Sequence, residues 1–473
     1  MSATSPPPTE LTTSARLRRV PVVTRTQRGW LTVLAAMLLF DMADSSSFAY
    51  VAPAIRTQWG LSIGDIGTIT AAAFLGMFVG SVVGGRLADR FGRKRTMVVA
   101  TIFYSVCSLL SAASTGIYDL ALYRVLTGCG LMATTVVLLT YVSEMFPSAK
   151  RGRVQATVSA VSLLGVPAMA WLSRWIVPMG PSAWRAIFIL GGMGLLAALV
   201  SVKVLPESVR WLESQGRTAE AELVVAKIEN EAMTALGERL PAAQAEALPP
   251  ELSPLDLISA GYLRRTIVLC ITLSLAISAF YGFNAWMPTL LVEHGLEPSQ
   301  SLEYTSILSL AAVPGAILAM LFVDRVDRRT AVLVIYVVIA ALMLVFGLAD
   351  DTTVLLGTGL LITVLLQAST VCVYAYMPEI FPTQLRALGA GLGNGAGRLA
   401  TFVATFVIAA ILTRLGYASV FVSLAAALLL AGLTIGVLGE RTRGRSLEEI
   451  SAVAEPGKSG AGRPAEEDVT NVT

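Results

Sequence analysis

Apolar residues run along this chain in long uninterrupted blocks and not in the short period-two alternation of a half-buried strand. Twelve blocks each supply the ~20 helical residues needed to cross a hydrocarbon core of about 30 Å. They lie near 30–53, 65–88, 96–115, 118–144, 153–177, 184–205, 266–291, 302–323, 331–349, 352–378, 385–413 and 417–438. The pattern predicts an all-α integral membrane protein with twelve transmembrane helices, since the blocks are far too long for barrel strands. Between the sixth and seventh blocks lies the polar stretch "TAEAELVVAKIENEAMTALGER". There Thr218 can cap a helix whose dipole Glu220 and Glu222 favour, so a cytoplasmic surface helix is expected. The predicted organisation is a disordered cytoplasmic tail (1–28), a six-helix bundle (29–205), a cytoplasmic linker (206–264), a second six-helix bundle (265–439) and a second disordered tail (440–473).

Composition agrees with that class. Of 473 residues, 55% are hydrophobic and 14% charged, against roughly 25% charged in a soluble domain. Basic residues are retained on the cytoplasmic side of a membrane. With the N-terminus inside, cytoplasmic segments hold 29 of the 35 Lys and Arg, outer loops hold Arg56, Arg174, Arg185 and Arg414, and Arg124 and Arg398 fall within the membrane. Both termini are therefore placed in the cytoplasm, and the location expected is the cell membrane. The net charge of +3 follows from this bias and points to no nucleic-acid partner. The first 28 residues, with "SPPP" and five arginines, read as a membrane-proximal tail and not as a cleavable signal, because the apolar run that follows is too long. Cys107, Cys129, Cys270 and Cys372 fall inside spans without metal-like spacing and read as free thiols. His294, the only histidine, is given no role. No metal or cofactor is expected, and no nucleophile, base and orienter assemble from the spans as an enzyme would require.

Displacing the chain by 235 residues brings its punctuation into register. Pro53 meets Pro288, Gly80 meets Gly315, and Asp89, Arg90 and Arg93 meet Asp324, Arg325 and Arg328. Further on, Tyr141, Glu144, Phe146, Pro147 and Arg151 meet Tyr376, Glu379, Phe381, Pro382 and Arg386. Six spans per repeat return the chain to the same side, so the halves form a parallel repeat about an axis along the membrane normal.

Four segments, "GGRLADRFGRKR", its weaker copy "FVDRVDRR", "SEMFPSAKRGR" and "LPESVRWL", occur in order at matching topological positions. Together they make the chain resemble the major facilitator superfamily over essentially its whole length outside the tails. The resemblance implies a secondary active transporter that works by rocker-switch alternating access. It also implies that Gly85, Asp89, Arg90, Gly92, Arg93, Glu144 and Arg151, with Asp324, Arg328, Glu379 and Arg386 as counterparts, form a gating network. In the superfamily that network latches the halves together on the cytoplasmic side when the cavity opens outward. Gly92 has Asp327 as its counterpart, which weakens the second motif as a turn.

Intramembrane charges without a repeat partner are the candidates for substrate chemistry. Asp41 and Asp44 align with Ala276 and Ala279, Arg124 with Gly359 and Arg398 with Leu163. A charge at the centre of a span disfavours insertion by roughly 2.5–3.5 kcal/mol, so these four are expected to face a cavity or each other. The spacing of Asp41, Asp44, Ser45 and Phe48 puts them on one helical face, and an ion pair between Arg124 and an aspartate is plausible at similar depth. Further cavity candidates are Tyr281, Asn284 and Trp286 on span seven and Gln367, Tyr374 and Tyr376 on span ten.

"DMAD" in span one, with arginines in spans four and eleven, is most similar to the aromatic acid:proton symporters, whose own pattern is Asp-Gly-Phe-Asp. That likeness implies proton coupling at Asp41 and Asp44 and a small organic carboxylate as substrate, bound by Arg124 and Arg398, with the transporter expected to be monomeric. The "PESVRWL" motif, shared with sugar porters, keeps a proton-coupled sugar, polyol or other metabolite porter open, and a drug/proton antiporter is a further alternative.

Overall fold

The computed structural model describes residues 12–241, 257, 262–322, 326–382 and 385–441. Among them twelve helices are long and apolar enough to cross a membrane. Spans one to six are Arg25–Trp59, Ile63–Phe91, Arg93–Ala112, Ile117–Met145, Ser148–Met179 and Trp184–Val204. Spans seven to twelve are Leu263–Asn284, Pro298–Ala319, Arg328–Leu348, Thr352–Glu379, Leu388–Leu415 and Tyr417–Leu438. Local chemistry sets their ends. Thr24 with Gln27 and Ser62 with Asp65 form capping boxes at spans one and two, and Gly60 closes span one in the left-handed region that suits glycine. Apolar side chains such as Val99, Leu199 and Val345 stay exposed on the outer faces, as lipid-facing positions do.

The packing repeats as the register of the sequence requires. Spans one and five, two and four, and three and six pair in the first half, and spans seven and eleven, eight and ten, and nine and twelve pair in the second. At spans two and four, a Cβ on Gly80 would overlap the Cys129 backbone; at spans eight and ten, one on Gly315 would overlap Val364. Small residues here let backbones approach within a membrane, where apolar burial alone does not drive helix association.

The halves touch each other through spans two and eleven and spans five and eight. Towards the outer side Arg56 pairs with Glu293, Arg174 Nη2 lies 2.8 Å from Glu303 Oε1, and Ser306 Oγ donates to the Ala170 carbonyl at 3.0 Å. Among the described residues no ion pair joins the halves near the cytoplasmic ends of the spans, where Arg86, Gly391 and Leu392 are exposed along the cavity wall. The molecule is closed outward and open inward.

Two expectations need correction. Residues 12–28 are not a disordered tail: Thr13–Arg18 is helical and Leu17 and Val20 are buried. The apolar pair seats this segment on the linker, and its arginines meet linker glutamates. The linker helix, Thr218–Leu236, starts after Arg217, and Thr218 is its first residue and not its cap. The expected tail beyond 441 and the start of the first one, 1–11, lie outside the described residues.

Candidate substrate and proton site

A cavity of about 1050 Å³ lies between the halves. Its wall is mostly apolar, with Phe48, Phe74, Phe78 and Tyr281 among the rings and Ser45, Thr135, Asn284, Gln367, Tyr374 and Asn394 among the polar groups. Two guanidinium groups, Arg124 from span four and Arg398 from span eleven, reach it from opposite halves. Arg398 holds its guanidinium carbon 4.9 Å from the Tyr281 ring centre and its Nη1 3.6 Å from Met77 Sδ. Its Nε has no hydrogen-bond partner, and among the described residues no carboxylate pairs with it. Tyr374 donates to Asn394 Oδ1 at 2.7 Å, and Asn284 donates to its own helix at Phe280 O, 2.8 Å away.

The aspartates stand elsewhere. Ser45 and Phe48 line the cavity, but Asp41 is 2% exposed, Asp44 is fully buried, and neither is part of the wall. Ser45 and Phe48, which helical spacing groups with the two aspartates, thus reach the cavity while the aspartates face the bundle interior. The helical turn that brings Ser45 and Phe48 to the cavity leaves Asp44 facing spans three, four and six. There Arg124 Nη1 lies 3.8 Å from Asp44 Oδ2, and Ser108 Oγ lies 2.5 Å from Asp44 Oδ1. Arg124 is also held over Phe188 and Phe48, at 5.7 and 6.0 Å from the ring centres, and its Nε and Nη1 lack hydrogen-bond partners. Asp41 accepts from Thr135 Oγ1 at 3.2 Å, and Thr135 belongs to the cavity wall. Arg124 is thus a side chain that touches both the cavity and the buried Asp44.

Trp286 is corrected outright. It is 2% exposed and absent from the cavity wall, as is Tyr376, whose hydroxyl donates to Glu440 O at 3.1 Å. Span seven's helix stops at Asn284, and a new helix begins at Met287. The break turns Trp286 away from the face that Tyr281 and Asn284 share and packs it into the core of the second half.

At the cytoplasmic ends, Arg93 bridges Asp89 at 3.0 Å and Glu144 at 3.1 Å. Gly92 has φ 101°, and a Cβ there would overlap Glu207. Glu207 accepts from the backbone N–H of Lys94 at 2.8 Å and of Ser208 at 2.9 Å, so it caps span three where Gly92 offers no side chain. Ser208 Oγ lies 2.5 Å from Glu144 Oε2, and Trp211 Nε1 donates to the Asp89 carbonyl at 2.9 Å. In the second half Arg328 pairs with Glu379, Arg386 opens the helix of span eleven without an ion pair among the described residues, and Asp324 lies outside them. Arg151 stands in the first turn of span five, Gly85 is half-buried, and Arg90 is exposed over Phe91.

Residues 20–454 match the family model described as sugar (and other) transporter. The chain belongs to that family. It is 31% identical over 416 residues to the niacin transporter of Acinetobacter baylyi, covering 87% of this chain and 93% of that one. It is 30% identical over 455 residues to an inner membrane metabolite transport protein of Escherichia coli, covering 93% and 98%. Its fold matches the partially occluded inward-open xylose transporter of Escherichia coli with a TM-score of 0.71 at 18% identity, covering 89% and 99%. As a member of the sugar (and other) transporter family within the major facilitator superfamily, the chain is a multi-pass secondary transporter of a small metabolite and not an enzyme.

For a transporter of this family, reading the sequence alone missed several contributors. Ser108, Thr135 and Asn394 carry small polar groups that a helix can satisfy on its own carbonyls, so their presence in a span signals little. Glu207, Ser208 and Trp211 stood in the quoted "LPESVRWL" as a signature, and nothing in their spacing revealed that they cap span three and brace Asp89 and Glu144.

Proposed function

We propose that this transporter is a proton-coupled symporter of a small aromatic carboxylate. The observation that carries the reading is Arg398: a guanidinium on a mostly apolar, aromatic-lined cavity wall that makes no ion pair with a carboxylate among the described residues. A guanidinium stays protonated and binds a carboxylate through two parallel hydrogen bonds, and the neighbouring Tyr281 and Phe74 rings give an aromatic body surfaces to stack on. The niacin transporter among its relatives supports the same substrate class.

Coupling runs through Arg124. A substrate carboxylate that takes up hydrogen bonds from Arg124 weakens its hold on Asp44, which favours a proton there. The loaded carrier then rocks to the opposite face with anion and proton together. One proton per monoanion moves no net charge and draws only on the pH gradient, about 1.4 kcal/mol per unit. A second, on Asp41, would add the membrane potential at ~2.3 kcal/mol per 100 mV.

The test is uptake into proteoliposomes with an alkaline interior, using labelled nicotinate and benzoate against xylose. Gradient-driven accumulation of a carboxylate, abolished by a protonophore, is expected. Arg398→Ala should weaken it about tenfold to a hundredfold, the range of lost hydrogen bonds to a charge, and Arg398→Lys less. Uptake indifferent to the protonophore, or transport of xylose instead, overturns the reading.

A further inference from the structure

Ser108 makes two contacts that a single hydroxyl hydrogen cannot serve at once. Its Oγ lies 2.5 Å from Asp44 Oδ1 and 3.0 Å from the Phe188 carbonyl oxygen. A serine hydroxyl has one hydrogen to donate and lone pairs to accept with. With Asp44 ionised, that hydrogen goes to the carboxylate and the carbonyl is left with its helical partner, the Gly192 N–H at 3.0 Å. With Asp44 protonated, both contacts become full hydrogen bonds: Asp44 O–H donates to Ser108 Oγ, and Ser108 O–H turns to donate to Phe188 O. The proton count of the pocket therefore fixes which way Ser108 points.

We infer that Ser108 is a positioning residue for the proton site, a hydroxyl that sets the proton affinity of Asp44 and passes its protonation state to span six. This deepens the proposed symport and rests on it only in taking Asp44 as a proton site. The arrangement is built for contact. Ser108 is fully buried, and a Cβ on Gly191 would overlap Asp44 Oδ1 and stand 2.8 Å from Ser108 Oγ, so glycine at that position of span six is what admits both groups. The receiving carbonyl belongs to Phe188, whose ring lies under Arg124, and span six breaks its helix just beyond, between Gly191 and Gly194. A change at Asp44 thus reaches both the arginine at the cavity and the break in span six through one hydroxyl. The other charged or titratable groups facing Asp44 are Arg124 from span four, Tyr104 and Cys107 from span three, and Asp41 one turn earlier on its own helix.

The test is infrared difference spectroscopy on the purified full chain, titrated from mildly acid to mildly alkaline pH. A protonated-carboxyl C=O band that Asp44→Asn abolishes assigns the site. A hydrogen bond to a charged group exceeds one to a neutral group by an amount equal to about one pH unit, and the bond that Ser108 gains to Phe188 O offsets little of it, because the Gly192 N–H already occupies that carbonyl. In Ser108→Ala the band should titrate about one unit more alkaline and move to higher wavenumber, as a carboxyl without an acceptor does. Ser108→Thr should behave as the wild type, and Ser108→Cys, a weaker donor, should fall between the two if threonine does not fold. An Asp44 band unmoved in Ser108→Ala, or moved equally by threonine, overturns the role of Ser108 and leaves symport standing. No Asp44 band in the wild type overturns both.

Discussion

A carboxylate as deeply buried as Asp44 needs neighbours that leave room as well as neighbours that make bonds. Gly191 leaves the room, and an alanine there would drive its methyl into the carboxylate and against Ser108. Overpacking of this kind costs about 1–3 kcal/mol, and the strain falls on the proton site. Gly191→Ala is expected to lower stability by that amount and to reduce uptake by tenfold or more. Gly192→Ala is the comparison, because its methyl would meet Leu109 Cγ and Cδ2, both 2.8 Å away, a partly exposed apolar side chain and not the carboxylate. Thermal melting with parallel uptake assays checks both, and equal effects at the two glycines would count against the argument. The charges themselves were legible from sequence, since four ionisable residues without a counterpart in the other repeat stand out in apolar helices. Their orientation was not: helical spacing groups Asp41 and Asp44 with Ser45 and Phe48, but only the positions of spans three, four and six decide which of these meets the cavity.

At the scale of elements, long apolar runs announced all twelve spans because each must satisfy its own backbone in lipid. The short helix Thr13–Arg18 went unread because six residues carry no period, and its fold comes from docking. Leu17 and Val20 supply the apolar contact. Arg16 Nη2 and Arg19 Nη2 lie 2.5 and 2.8 Å from the Glu229 carboxylate, and Arg16 also pairs with Glu222. Burial alone would push the Glu229 carboxyl up, but hydrogen bonds from Arg16 and Arg19 outweigh it and hold it below the ordinary glutamate value. Because the folded value is the lower one, the stabilisation is complete above the unfolded value of about 4.3 and is lost as pH falls through the folded value. Proteolysis at Arg18 and Arg19 should therefore stay slow at neutral pH and speed up below about pH 4. Glu229→Gln should show fast cleavage at neutral pH, the loss amounting to roughly 1 kcal/mol per pair. Cleavage independent of pH in the wild type would mean that the apolar contact alone holds the segment.

For the whole molecule, alternating access is a balance between contacts made on one side and contacts released on the other. In the inward-open form the cytoplasmic ion pairs among the described residues lie within one half each, Asp89–Arg93–Glu144 in the first and Arg328–Glu379 in the second. The Asp89 side chain is 76% exposed, free to meet the other half when the cavity closes there. The outer rim carries the opposite arrangement, Arg56–Glu293 and Arg174–Glu303 crossing between halves. Partly exposed pairs are worth roughly 0.2–1 kcal/mol each, weak enough to break on every cycle. Removing both with Glu293→Gln and Glu303→Gln should therefore take up to about 2 kcal/mol from the inward-open state, a shift in population of up to about thirtyfold. Spin labels at the exposed Gly64 and Glu297, one in each half on a cysteine-free background, report the width of the outer mouth. The double variant should populate a longer distance that the wild type lacks, and high salt should move the wild type the same way, since screening weakens exposed pairs. An unchanged distance distribution in the variant would assign the outer closure to the packing of spans two and eleven and of spans five and eight, and not to the ion pairs.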